Sequence, residues 1–420
     1  MHDRAIAAQE VRIEQQGQGR PIISAQLAGQ RIVFVGDRAL HSPSWKTFPD
    51  FLWSYLKLVM GADWLEQELR KPEANRSPIW HWHEAVVSQR RKLSVAEGDF
   101  VEAELTGAAA CYLSLSQSLY QLEHNVTLQA RYLQRLRDVR NFQGAYYELQ
   151  VACALIRAGF RLELMDDVGR GPSTCEFTAT STRTGRSFDV EAKSRAIAGF
   201  LGKDHTDGGS DERVGDKVWD HLHAALKKHG EKPKIIFIDL NAPIIAETAN
   251  WQEGAVAEVH RYGERFRDKS AYVVLTNLAN HRYPDEGLRP GLSVAYTTIG
   301  YGDPRRFSRL FDAYQWRKRH IDLHYAAEGF SEILRFPVTF DGSMLSETGL
   351  AGTPGRLLIG ENYIFGGGAD AVSGELIDAT VIETERVASL IVRTSDGKTV
   401  LIRAPLSAAE LSDYRRHRDV

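Results

Sequence analysis

Apolar positions along the chain change rhythm twice, and the changes divide it into three stretches. Residues 20–36, RPIISAQLAGQRIVFVG, alternate in two short runs about Ala28-Gly29 and predict a hairpin. From about 47 to 140 apolar residues recur at helical spacing, as in FPDFLWSYLKLVMGADWLEQEL, and Phe51, Trp53, Tyr55 and Trp64 are expected to anchor a helical core. From 142 the pattern alternates between types. A helix, FQGAYYELQVACALIRAG, leads to candidate strands FRLELMD, CEFTATST and RSFDVEAK and then to a Gly/Asp-rich loop, GFLGKDHTDGGSDERVGD. A helix KVWDHLHAALKKHG, a strand KIIFIDL, a helix near 254–267 and strands AYVVLTNL and LSVAYTTIG follow. Helices alternating with short apolar strands predict an α/β domain. From about 337 long helical periodicity is absent until 407. The strands GELIDATVIE, ASLIVRT and TVLIRA, with Asp396-Gly397 as a tight turn, predict a small β-barrel or SH3-like module with a C-terminal helix. The expected division is a mostly helical N-terminal domain with an initial β-hairpin over 1–140, an α/β domain over 141–335 and the β-module over 336–420.

Composition narrows the class without choosing a function. At 420 residues the chain exceeds one ordinary core, and 43% hydrophobic with 25% charged residues describes a globular protein rather than a disordered one. A net charge of −3 provides no overall attraction for nucleic acid, so any such partner must meet a local basic patch. Cys111, Cys153 and Cys175 are far apart and lack metal-ligand spacing, which suggests reduced thiols. The opening MHDRAIAAQEVRIEQQ has no apolar leader region, and no stretch has the length of a membrane span. A soluble cytoplasmic protein with no membrane partner is expected.

The chemistry concentrates in TCEFTATSTRTGRSFDVEAKSR, residues 174–195. Side chains alternate faces along a strand, so Asp189, Glu191 and Lys193 share one side while Phe188, Val190 and Ala192 share the other. The turn RTGR brings Glu176 beside the charged set. Upstream, Glu148 falls among Ala145, Val151, Ala152 and Leu155 on the apolar stripe of its helix, and a carboxylate there must be paired, protonated or metal-bound. Two carboxylates about 4 Å apart repel by roughly 4 kcal/mol at an effective dielectric near 20. Lys193 offsets part of this, and a hard divalent cation such as Mg²⁺ or Mn²⁺ would offset all of it.

The order of helix with glutamate (GAYYELQVACALIRAGF), hairpin, Glu-x-Lys (VEAKS), helix and strand resembles the PD-(D/E)XK nuclease superfamily over roughly residues 142–280. The resemblance implies a restriction-endonuclease-like core, a mixed sheet flanked by helices. It also implies that Glu176, Glu191 and Glu148 bind Mg²⁺ or Mn²⁺ and that Lys193 acts with them in catalysis. Here Cys175-Glu176 replaces the family's usual Pro-Asp, a carboxylate one methylene longer. The activity implied is hydrolysis of phosphodiesters in DNA ahead of RNA, in a setting such as bacterial DNA repair, restriction or antiphage defence. A second copy of the chain or a partner subunit is a further expectation.

Nucleic acid has candidate contacts outside this core. DPRRFSRLFDAYQWRKRH, residues 303–320, interleaves Arg305, Arg306, Arg309, Arg317, Lys318 and Arg319 with Phe307, Phe311, Tyr314 and Trp316. Arginines at this density can neutralise phosphates, and exposed rings can stack on unpaired bases. The same helix could instead bury its aromatics beneath a basic face. Lys203 and His205 lie in the loop 199–215 that follows Glu-x-Lys. One alternative function is a non-catalytic scaffold for nucleic acid or protein; another is a structural subunit of a larger complex, with Glu148 satisfied by an arginine.

Overall fold

The computed structural model describes residues 12–92, 103–128, 130–164, 175–197, 216–244, 251–288, 294–303, 307–340, 362–365 and 372–406, with positions 9, 201, 360 and 411. They form two compact units, one of residues 17–336 and one of residues 1–16 with 337–420. Lys203, His205, Arg305, Arg306 and the helix expected from 407 lie outside the described residues, apart from a helical Leu411.

The larger unit begins with an antiparallel meander of β1 (Ile23–Leu27), β2 (Gln30–Val35) and β3 (Arg38–Ser42). The first turn uses positive φ at both Ala28 (49°) and Gly29 (77°), the backbone hand that suits a two-residue hairpin. Helices α1 (Phe48–Met60), α2 (Ala62–Arg70), α3 (Pro78–Lys92), α4 (Gly107–Asn125), α5 (Ala130–Arg137) and α6 (Val139–Arg157) follow. Thr47 and Asp50 close a capping box at the start of α1. Phe48, Phe51 and Tyr55 of this helix are buried around Tyr120 of α4. Trp53 is half-buried between Tyr112 and His83. These helices and the α/β segment belong to one compact unit, because α4 is buried along most of its length and bonds to α6 through Gln150 and Ser114.

The α/β core is a six-stranded sheet in the order β4 (Phe160–Leu164), β5 (Phe177–Ser181), β6 (Ser187–Ser194), β7 (Lys234–Asp239), β8 (Ala271–Thr276) and β9 (Val294–Ile299). It is mixed: β4, β5 and β6 run antiparallel, β6, β7 and β8 parallel, and β9 antiparallel to β8. One face carries Phe188, Val190 and Phe237 toward α6 and α10 (Ile321–Ser331), where Phe330 meets both Tyr147 and Phe237. On the other face Ile236, Ile238, Val273 and Leu275 pack against α7 (Asp216–Lys227) and α8 (Trp251–Arg265). Glu191 and Lys193 pair in register with Ile236 and Ile238, so the charged side of β6 lies on this second face. Helix α9 (Leu310–Arg319) precedes α10.

In the smaller unit, β10 (Asn362–Phe365), β11 (Val372–Ile382), β12 (Val387–Thr394) and β13 (Thr399–Pro405) form an antiparallel sheet in chain order. Phe365, Leu376, Ala388, Leu390, Val392, Leu406 and Leu411 form its core. Gly397 has φ 80° at the expected tight turn. Among the described residues the sheet is open: β10 and β13 are its two edges, and the expected barrel does not close. An open sheet and a barrel share the same alternation of apolar positions; closure depends on pairing of the end strands, which local pattern does not encode.

All three cysteines are free and buried. No described helix is long and apolar enough to cross a membrane.

Candidate active site

The β5–β6 hairpin builds the site. Phe177 pairs with Val190, and the Glu176 N–H donates to the Val190 carbonyl (3.1 Å), which brings Glu176 to the level of Glu191. The far end of the hairpin is tied to α10, where the buried Asp322 accepts from the Thr184 hydroxyl (2.9 Å) and pairs with Arg186 (2.5 Å). Asp189 is diverted from the cluster, accepting from Thr178 (3.3 Å) and from the Lys232 N–H (3.2 Å).

Glu191 is 0% exposed in the centre of the sheet. Lys193, two residues along the same face, pairs with it. Lys228, just beyond α7, places its Nζ 2.7 Å from Glu191 and 3.2 Å from Glu176, so one ammonium bridges the two carboxylates. Neither Glu191 oxygen accepts a hydrogen bond of good angle, although both ammoniums are at ion-pair distance. Burial pushes the Glu191 carboxyl up; Lys193 and Lys228 pull it back, and Glu176 pushes further up. Burial alone would lower Lys228, yet the neighbouring Glu176 and Glu191 outweigh it and hold the ammonium charged.

Glu148 projects from α6 into the same charge cluster, within the fields of Glu176 and Lys193. Both of its oxygens are taken by Arg135 of α5, whose two terminal nitrogens donate at 2.5 and 2.6 Å in a forked pair. Burial raises the Glu148 carboxyl, and Arg135 opposes the rise. The structure therefore brings Glu148, Glu176, Glu191 and Lys193 into one neighbourhood, with Glu148 turned to an arginine rather than into the Glu176–Glu191 pair.

His221 on α7 joins the cluster's edge. Its Nε2 is buried without a hydrogen-bond partner, and burial, with the adjacent Lys193 charge adding to it, brings the imidazole down to about 4. It is a neutral ring at physiological pH.

Among the described residues no group of three His, Cys, Asp or Glu side chains is arranged to hold a metal ion. The Glu176–Glu191 pair, aimed at one shared cation and retaining poorly satisfied oxygens, is a donor set of the kind Mg²⁺ or Mn²⁺ accepts, since Mg²⁺ typically takes one or two carboxylates and fills its shell with water and substrate phosphate. Glu176 and Glu191 would hold such an ion.

The basic segment is only partly described. Arg309, Arg317, Lys318 and Arg319 are exposed along α9. Its aromatics do not turn inward as one of the two sequence readings held: Phe311 is 67% and Tyr314 60% exposed, while Trp316 is buried and donates to the Tyr301 carbonyl (2.7 Å).

Sequence reading missed Lys228 and His221, and it left Arg135 on a basic helix face rather than against Glu148. A carboxylate in an apolar stripe signalled that Glu148 needs a partner, but among many arginines nothing local marked Arg135 as that partner. Lys228 reads the same as its neighbour Lys227 until the chain is folded. Compared with protein-family models, with curated proteins and with solved structures, the chain matches none.

Proposed function

We propose that the 17–336 unit is a metal-dependent nuclease of the PD-(D/E)XK kind, hydrolysing phosphodiester bonds of nucleic acid, DNA ahead of RNA. The observation that carries this reading is Glu191: a fully buried carboxylate on a central strand, with Lys193 two residues along and Glu176 delivered beside it by the hairpin. A fold gains little from such a group, because an apolar side chain there costs far less desolvation. Perturbed carboxylate–lysine clusters concentrate where chemistry is done.

A divalent cation held by Glu176 and Glu191 would polarise a phosphoryl oxygen and acidify a bound water. Lys193 orients the attacking water and places positive charge beside the phosphate. Glu148, buried and gripped in a fork by Arg135, ties α6 to α5 beside the site. Arg309, Arg317, Lys318 and Arg319 offer phosphate contacts, and Phe311 and Tyr314 offer stacking faces.

Incubation with Mn²⁺ or Mg²⁺ on linear, nicked, single-stranded and RNA substrates tests the reading. The wild type should cleave at least one of them, and Lys193→Ala and Glu191→Ala should each be slower by at least about 100-fold. A protein that binds DNA yet cuts none of these with either metal refutes it.

The forked Arg135–Glu148 pair favours a second reading, a non-catalytic scaffold for nucleic acid or protein in which the carboxylates are satisfied internally. Titration with Mn²⁺ separates the two, because a scaffold takes up no metal that depends on Glu191.

A further inference from the structure

Lys228 stands where a cation serving both carboxylates must stand. Its Nζ is 2.7 Å from Glu191 and 3.2 Å from Glu176. With it in place the cluster is neutral: Glu148, Glu176 and Glu191 are balanced by Arg135, Lys193 and Lys228. Lys193 lies within β6 and, among the described residues, pairs with Glu191, whereas Lys228 lies just past the C-terminal end of α7 and pairs with both Glu191 and Glu176. Its carbonyl accepts from Lys234 and its N–H donates to the Ala225 carbonyl (3.3 Å), so the backbone is anchored and only rotation of the stem can move Nζ.

We propose that Lys228 is an internal counter-ion that holds the carboxylate pair in the metal-free protein, gives way to a divalent ion, and then turns to the phosphodiester of the substrate. The inference rests on the metal-dependent reading above. An ammonium and a doubly charged ion cannot share the same two carboxylates, because their repulsion grows with each charge and is weakly screened in a buried cluster. Once displaced, Lys228 needs another anion, and the phosphate brought to the site is that anion. Lys228 thus links metal uptake to polyanion binding: each favours the other, as reciprocity of coupled equilibria requires. Lys228 is a positioning residue for the carboxylates and a specificity residue for a charged backbone.

The experiment is calorimetric titration of Mn²⁺ into the full chain, alone and saturated with a phosphorothioate oligonucleotide that resists cleavage. Lys228→Met keeps the length of the stem and removes the charge; Lys228→Arg keeps the charge and grips both carboxylates with a fork. Without oligonucleotide, Lys228→Met should bind Mn²⁺ at least tenfold more tightly than wild type and Lys228→Arg more weakly. The oligonucleotide should tighten Mn²⁺ binding to the wild type by a larger factor than to Lys228→Met, where direct ligation by phosphate alone links the two; an equal factor in both overturns the proposed role. Circular dichroism confirms folding of each variant, and the opposite directions of the two changes separate competition from loss of structure. Equal Mn²⁺ affinity in wild type and both variants, with Glu191→Gln abolishing uptake, overturns the role of Lys228 and leaves the metal site standing. Absence of Glu191-dependent uptake in every protein overturns the metal reading, and this inference with it.

Discussion

Asp239, at the end of β7, is completely enclosed and accepts from the Leu278 N–H (2.8 Å), the Thr276 hydroxyl (3.2 Å) and the Ser194 hydroxyl (3.3 Å). Burial pushes its carboxyl up to about 6 despite these donors. The folded chain therefore keeps a proton that the unfolded chain releases near pH 4, so this contribution to stability is complete below pH 4 and is lost as pH rises through 6. The loss is on the order of 3 kcal/mol. Denaturant melts at pH 4.5 and 7.5 should show about 2 kcal/mol of that decline in the wild type relative to Asp239→Asn; a flat difference contradicts it. Arg135 supports a second expectation at this scale. Arg135→Leu leaves Glu148 buried and unpaired and should cost about 3–5 kcal/mol, whereas Arg135→Leu with Glu148→Leu should recover most of it. Urea midpoints of the two variants provide the measurement.

At the scale of elements, α6, which carries Glu148, packs closely against α10. A Cβ on Gly329 of α10 would lie 2.3 Å from the Ala154 carbonyl oxygen and 2.9 Å from the Ala158 Cβ, both on or at the end of α6. Gly329→Ala must push the helices apart and should destabilise the protein by about 1–3 kcal/mol, against the gain that alanine normally brings to a helix. A higher melting temperature in this variant would contradict the close approach. The elements themselves were largely legible. Expected strands such as KIIFIDL and AYVVLTNL coincide with β7 and β8 because short β-branched runs between turn residues have few alternatives. The strand β3 went unseen because RALHS has neither strong alternation nor β-branched residues.

For the molecule as a whole, residues 17–336 form one compact unit and residues 1–16 with 337–420 form another. Two units of unequal size should melt in separable transitions rather than in a two-state unfolding. Under the metal-dependent reading, Mn²⁺ at 100 times its Kd should stabilise the 17–336 unit by about 2.7 kcal/mol and leave the other transition in place. Differential scanning calorimetry with and without Mn²⁺ measures this, and Glu191→Gln should abolish the shift. A shift that survives in that variant would assign the ion elsewhere.

What the sequence determined by itself is the local part: strand and helix identity, the hairpin that sets Glu176 beside Glu191, and the side of β6 that carries Glu191 and Lys193. These follow from periods of 2 and 3.6 and from turn chemistry, which act over a few residues. Tertiary structure alone decided the partners of the charges. Arg135 reaches Glu148 across 13 positions, and Lys228 reaches Glu176 across 52. It also decided that the final sheet is open among the described residues and that Phe311 and Tyr314 are exposed. Electrostatic pairing and sheet closure depend on distance in space, and side-chain pattern along a chain carries no measure of that distance until the backbone is folded.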